Sequence, residues 1–337
     1  MLRSSVGILL AIATGSAILL VAQGARHAKG TPVGLFESDT DIGGVLHPGA
    51  VEYDPAKNSY IVTAGGDNIS FTSDAFHFAW KTVSGSVRLS ADISFLGSAG
   101  NEHRKAVLMV RENLAADSAY VGVALRGNGL TSLEYRDENG STVHEIQTNI
   151  STPKRVSIEK RGDFVYIALG NDDKTLRFSG ASIRVPLPGS FYVGIGVSSH
   201  NKDIAEKAVF TDVELTSNLP TVKNPTLYSS LERINIASAD RQIVYFAPER
   251  FEAPNWRREG TTLLFNRNGN MYRLPAAGGE PALIDTGFAN RCNNDHGISP
   301  DQTLFAISDQ SQDDHKSIVY IVPIGGGTPR RITQNSP

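Results

Sequence analysis

A single cysteine in 337 residues, Cys292, rules out any disulfide within the chain. Small secreted scaffolds lean on disulfides, but a chain of this length can bury a core large enough to do without them. With no partner motif nearby, Cys292 reads as a small buried apolar residue rather than a nucleophile. Long blocks of like charge are missing too, and the formal net charge is -3. That excludes the concentrated Lys and Arg footprint which nucleic-acid phosphates reward. There is no His-Glu-x-x-His, no paired Cys-x-x-Cys, no Gly-x-Ser-x-Gly and no phosphate-binding glycine loop with a Lys. No cofactor and no metal site is therefore expected, and no enzyme signature is present. Amphipathic helical periodicity is also lacking.

Only one long apolar run occurs, at the start. Arg3 precedes the stretch Val6 to Ala22, followed by the small residues Gly24 and Ala25. A positive n-region, an apolar h-region and a small-residue cleavage zone describe an export segment. Residues 1–25 are thus read as a signal peptide or an uncleaved membrane anchor, since the run is near the length that spans a bilayer. The expected location is periplasmic or secreted, with an inner-membrane anchor and periplasmic domains as the alternative. Sequons at Asn68, Asn139 and Asn149 would matter only in a eukaryotic secretory pathway.

Beyond this run the apolar residues alternate with period two. Val87, Leu89, Ala91, Ile93 and Phe95 share one face of a strand, and Arg88, Ser90, Asp92 and Ser94 share the other. Val121, Val123 and Leu125 repeat the pattern, as do Val156 with Ile158, and Val165 with Ile167 and Leu169. Turn signals separate them at Gly65-Gly66-Asp67, Gly127-Asn128-Gly129, Asn139-Gly140 and Gly170-Asn171-Asp172-Asp173. Residues 33–217 are expected to form an all-β sandwich or barrel.

Near the C-terminus a cassette occurs twice. Met271-Tyr272-Arg273-Leu274-Pro275-Ala276-Ala277-Gly278-Gly279-Glu280-Pro281 recurs as Val319-Tyr320-Ile321-Val322-Pro323-Ile324-Gly325-Gly326-Gly327-Thr328-Pro329, and Ile284 and Ile332 close the copies at the same offset. A period of about 40 to 50 residues belongs to stacked units such as propeller blades. Upstream, Trp256-Arg257-Arg258-Glu259-Gly260 matches Ile298-Ser299-Pro300-Asp301-Gln302, each before an apolar strand. This pattern resembles the TolB-like, WD-like propeller repeat, whose hallmark is Ser-Pro-Asp-Gly before a buried strand. Gln302 stands in place of the Gly in one copy, and Arg258-Glu259 in place of Pro-Asp in the other. The resemblance implies a partial propeller over residues 228–337 and contacts with envelope proteins. Two blades cannot close a ring, so an open sheet edge and oligomerisation through it are expected.

The segment Phe76-His77-Phe78-Ala79-Trp80-Lys81, leading into the strand at Val87, resembles concanavalin A-like jelly-roll domains. That resemblance implies a two-sheet sandwich. Alternation places Phe76, Phe78 and Trp80 on one face, expected to fill the core between the sheets rather than to stack on sugar. His77 and Lys81 are expected to be solvated. Jelly-roll glucanases carry clustered acids, because glycoside hydrolysis needs an acid and a nucleophile or base flanking the bond. The nearest group here, Glu134-Tyr135-Arg136-Asp137-Glu138, does not put three acids on one face and is read as a solvated hairpin end.

Residues 218–227 are polar, carry Pro220 and Pro225 and lack periodicity, which marks a linker. Ile243-Val244-Tyr245-Phe246 reads as a strand ahead of the first blade. The densest polar group is Asn290 to Gly297, and its Arg291, Asp295 and His296 are the candidate ligand-binding residues. For Asp295 and His296 a hydrogen-bonded structural turn is the favoured reading over a ligand site. Asp313, Asp314 and His315 fall in the insertion that lengthens the second repeat, a loop rather than a metal cage. The expected function is an exported, non-catalytic binding protein of the bacterial envelope that recognises a glycan or a protein. The alternative is a polysaccharide lyase or hydrolase whose catalytic propeller is truncated.

Overall fold

The computed structural model describes residues 31–97, 100–171, 175–312 and 316–334. The expected export segment, Asp172, Asp173 and the loop residues Asp313, Asp314 and His315 lie outside them. Every regular element among the described residues is a strand. The first fourteen are β1 (Ser38–Ile42), β2 (Ala50–Asp54), β3 (Ser59–Ala64), β4 (Phe76–Ser84), β5 (Val87–Phe95), β6 (Lys105–Arg111), β7 (Tyr120–Arg126), β8 (Thr131–Arg136), β9 (His144–Gln147), β10 (Arg155–Arg161), β11 (Phe164–Gly170), β12 (Arg177–Arg184), β13 (Ser190–Ser198) and β14 (Glu206–Ser217). A hairpin of β15 (Ser229–Ile234) and β16 (Arg241–Ala247) follows. The rest are β17 (Phe251–Trp256), β18 (Thr262–Arg267), β19 (Asn270–Pro275), β20 (Ala282–Ile284), β21 (Cys292–Ile298), β22 (Leu304–Asp309), β23 (Ile318–Pro323) and β24 (Arg330–Arg331).

Two large sheets form the sandwich. One runs β1-β4-β13-β6-β7-β8-β9-β16-β15 and the other β12-β11-β10-β5-β14-β3-β2. The chain changes sheet between β4 and β5, between β5 and β6 and again around β13, the crossing pattern of a jelly roll. Leu89, Ala91, Val156, Ile158, Val165 and Ile167 meet Leu108, Val110, Val121, Val123 and Leu133 in the space between the sheets. The period-two positions thus supply the core, as the alternation predicts.

Phe76, Phe78 and Trp80 do not enter that core. They lie on the outer face of the nine-stranded sheet, in a second apolar layer with Val107, Met109 and Tyr120 beneath Ile69, while Ala79 faces inward. Gly194 and Gly196 of β13 lie under the Phe78 and Phe76 rings, and a Cβ at either would stand 2.9 Å from a ring carbon. His77 is buried rather than solvated: its Nδ1 is 2.8 Å from Asp41 Oδ1 and its Nε2 is 2.9 Å from Asp39 Oδ2. The cause is that β4 is flanked by β1 and β13 and covered on both faces. Lys81 is half-buried.

The two C-terminal sheets are four-stranded meanders, β17 to β20 and β21 to β24, so the fold is all-β with a jelly-roll sandwich followed by two blades. Their turns repeat bond for bond. The Arg257 N–H donates to Thr262 O as Ser299 N–H does to Leu304 O, both at 3.0 Å, and Ala276 N–H donates to Thr261 O (2.8 Å) as Ile324 N–H does to Thr303 O (2.9 Å). Gln302 keeps the left-handed backbone of its counterpart, at φ 63° against 73° for Gly260. Its side-chain oxygen accepts the Arg258 N–H at 3.0 Å, linking the two turns. Leu264, Met271 and Ile284 of the first meander pack on Phe305, Ile307 and Val322 of the second. The first meander's other face, with Leu263, Phe265 and Leu274, packs on Leu231 and Val244 of the hairpin. That hairpin in turn joins the sandwich, β16 pairing parallel with β9 at Arg241↔Ile146 and Gln242↔Gln147.

Candidate functional site

The outer face of the nine-stranded sheet carries charge where β6 to β9 run side by side. Glu134, expected in a solvated hairpin end, is buried in β8, whereas Asp137 and Glu138 are exposed at the turn. Glu134 points outward from β8 opposite Gly122 and Glu145, and Lys105 lies opposite Arg126. Between them β7 presents only Gly122 and Ala124, small enough for long side chains to meet above them. The Lys105 ammonium donates to Glu134 and to Ile69 O, each at 2.7 Å. Arg126 donates to Glu134 at 3.0 Å and to Glu145 at 2.5 Å, and the Gln147 amide reaches Glu145 at 2.6 Å.

Electrostatics follow from this geometry. Burial pushes the Glu134 carboxyl up, but Lys105 and Arg126 outweigh it and hold its pKa below the ordinary carboxylate value. Burial pulls the Arg126 guanidinium down, and Glu134 and Glu145 overcome that to raise it. Burial, then the charges of His103 and Lys105, lowers His200. Its ring lies 5.3 Å from that of His103. Tyr120 Oη, Ser132 Oγ, Arg126 Nε and His200 Nδ1 are buried atoms with no hydrogen-bond partner.

Close by, Arg136 grips Asp74 with two bonds, 2.9 and 3.1 Å, and Arg111 lies 3.5 Å from the same carboxylate. Arg136 also donates to the carbonyls of Phe71, Ser118 and Ser141. This group ties covering loops to the sheet.

At its β9 end the row opens into a cleft of about 650 Å³ between β9, the β15–β16 hairpin and Trp256 at the end of β17. Glu145 and Gln147 belong to both the row and the cleft. Glu232 and Arg241 hold each other across the hairpin at 2.6 and 3.1 Å, and Asp240 accepts the Glu145 N–H at 2.9 Å. Trp256 is 51% exposed.

The residues singled out in the sequence lie elsewhere, on and beside β21. Arg291 and Asp295 are exposed, the backbone N–H of Arg291 donating to Asp309 at 2.8 Å and that of Asp295 to Asn293 at 2.9 Å. His296 sets its ring edge-on to Phe305, centroids 5.4 Å apart, and burial lowers its pKa. Cys292 is buried, and burial together with the Asp309 charge pushes its thiol up to about 12. The outward row was missed because Lys105, Arg126, Glu134 and Glu145 come from four strands. The available signal was an outward charge in each of four otherwise apolar or short strands.

No family model matches the chain. An uncharacterized protein of Agrobacterium fabrum, strain C58, is 48% identical over 124 residues, 36% of this chain and 42% of that protein. The chain therefore spans less than half of that curated relative's length. A solved structure from Agrobacterium tumefaciens, provisionally assigned as TolB, shares 50% identity over 32% of this chain and 39% of its own, with a TM-score of 0.31. The carbohydrate-binding module CBM66 from Bacillus subtilis shares 17% identity over 53% of this chain and 95% of its own, with a TM-score of 0.36. At such TM-scores the fold rests on the chain's own strand pairing.

Proposed function

We propose that this chain is an exported, non-catalytic binding protein of the bacterial envelope that takes a glycan at the β9 cleft. The observation that carries the reading is Trp256, half exposed over a cleft lined by Glu145, Gln147 and Asp240. An aromatic ring to stack on a sugar and carboxylates and amides to bind its hydroxyls are what glycan recognition requires. A catalytic reading fares worse. Hydrolysis of a glycosidic bond needs one carboxyl that keeps its proton, yet Glu134 is held ionised by Lys105 and Arg126. Glycan-array binding by the full chain, without turnover, is the expected result. Trp256→Ala should weaken it about tenfold and shift melting by less than about 2 °C. Turnover of a bound glycan, or binding indifferent to Trp256→Ala, would reject this site.

The two blades fit a larger propeller in the same reading. Leu264, Met271 and Ile284 are 1%, 0% and 2% exposed where the second meander covers them. At the equivalent positions of the second meander Val319 is half-buried and Ile332 is 47% exposed. Such a face suits a further blade or a second chain. Light scattering that finds a monomer, with protease-resistant repeats, would count against it.

A further inference from the structure

On the far side of the sandwich the seven-stranded sheet turns its outer face to the linker. The linker is tied there, Arg161 donating to Pro220 O at 2.5 Å and the Asn218 N–H to Ser86 O at 2.9 Å. Between sheet and linker lies a groove of about 940 Å³. Aromatic rings follow one another across the sheet's outer face, Phe164 to Tyr166 at 6.3 Å, Tyr166 to Phe178 at 5.9 Å and Phe178 to Tyr228 at 5.5 Å, and the last three of these residues line the groove. Packing accounts for Phe178 and Tyr228, which close on Phe246 at 5.2 and 4.9 Å. It does not account for Tyr166 and the 46% exposed Phe164, which carry the line onto open surface.

We propose that this groove is a second binding site, for a single extended chain of a neutral oligosaccharide. Tyr166 and the exposed Val222 give the groove an apolar surface on which the face of a sugar can rest. The rings at Phe178 turn by 70° and 78° from their neighbours, which makes walls and not a flat deck, so one chain fits and a crystalline surface does not. Hydroxyls of Ser157, Ser182 and Thr221 line the same groove. Its charged groups are committed to one another: Arg88 holds Glu159 at 2.5 and 2.6 Å, and Arg161 pairs with Glu159 as well as with Pro220 O. An uncharged ligand leaves those pairs intact. The site stands on the sheet opposite the β9 cleft and does not rest on that reading.

The test is calorimetric titration of the full chain with cellohexaose, laminarihexaose, a hexagalacturonate and a proline-rich peptide. It is run on the Trp256→Ala chain, so that failure of the cleft and failure of the groove read separately. One of the two neutral hexaoses should bind, Tyr166→Ala should weaken it about tenfold, and Tyr166→Phe should keep it within about twofold. Val222→Arg, at a linker residue 54% exposed on the groove, should block binding without touching the core. Loss of binding in Val222→Arg with an unchanged melting curve supports the site even where Tyr166→Ala unfolds. No neutral binding, binding of the uronate or peptide alone, or wild-type affinity in the Val222→Arg chain would overturn it.

Discussion

Replacing Lys105 by Met should destabilise the sandwich strongly, and the structure says by how much. The ammonium and its carboxylate partner Glu134 are 5% and 3% exposed, 2.7 Å apart. Removing one member of a buried pair leaves the other uncompensated, which costs about 3 to 5 kcal/mol. Arg126 stays 3.0 Å from Glu134 and keeps part of the compensation, which places the expectation near the lower end, about 3 kcal/mol. Ile69 O loses its donor in the same variant, adding about 1 kcal/mol. The double variant Lys105→Met, Glu134→Leu should recover most of the loss, because no charge is then buried alone. Urea unfolding of the three chains, followed by tryptophan fluorescence, measures each value. Acid adds a second readout. Since the folded pKa of Glu134 lies below its unfolded value, its contribution is complete above the unfolded pKa and is lost as pH falls through the folded one. Glu134→Gln should therefore flatten the acid limb of the stability curve. A Lys105→Met cost under about 1 kcal/mol, or a double variant no better than the single, would refute the burial argument.

Phe78→Ala should cost about 3 to 5 kcal/mol because the ring is wholly buried, and the half-buried Trp80 should cost less on truncation. Equal melting of wild type and Phe78→Ala would contradict the layer drawn beneath Ile69. With its thiol pushed up to about 12, Cys292 should resist a disulfide reagent at neutral pH until denaturant is added. Rapid labelling of the native chain would show that strand β21 is open there. Glycosidase assays should be blank across neutral pH, and hydrolysis abolished by Glu134→Gln would overturn the ion-pair account of that carboxyl.

The strands were legible because period two is a property of local sequence. The runs at Val87, Val121, Val156 and Val165 could bury their apolar faces in only one way. The paired cassettes were legible for a like reason, since Pro, Gly and Asp mark a turn wherever they fall. The repeated bonds at Arg257 and Ser299 follow from that spacing. Sequence alone thus determined an all-β chain, its turns and its two repeats.

Tertiary structure decided which faces are covered. A strand pattern has two sides, and nothing local shows that the outer side of β4 lies under a second layer, which buries Phe78 away from the main core while His77 sits between Asp39 and Asp41. Nor does it show that β16 leaves the blades to pair with β9, building the cleft that Trp256 overlooks. Lys105, Arg126, Glu134 and Glu145 are up to 40 positions apart and meet only through strand register, which long-range hydrogen bonding sets. Periodicity belongs to the chain; partners across a sheet belong to the fold.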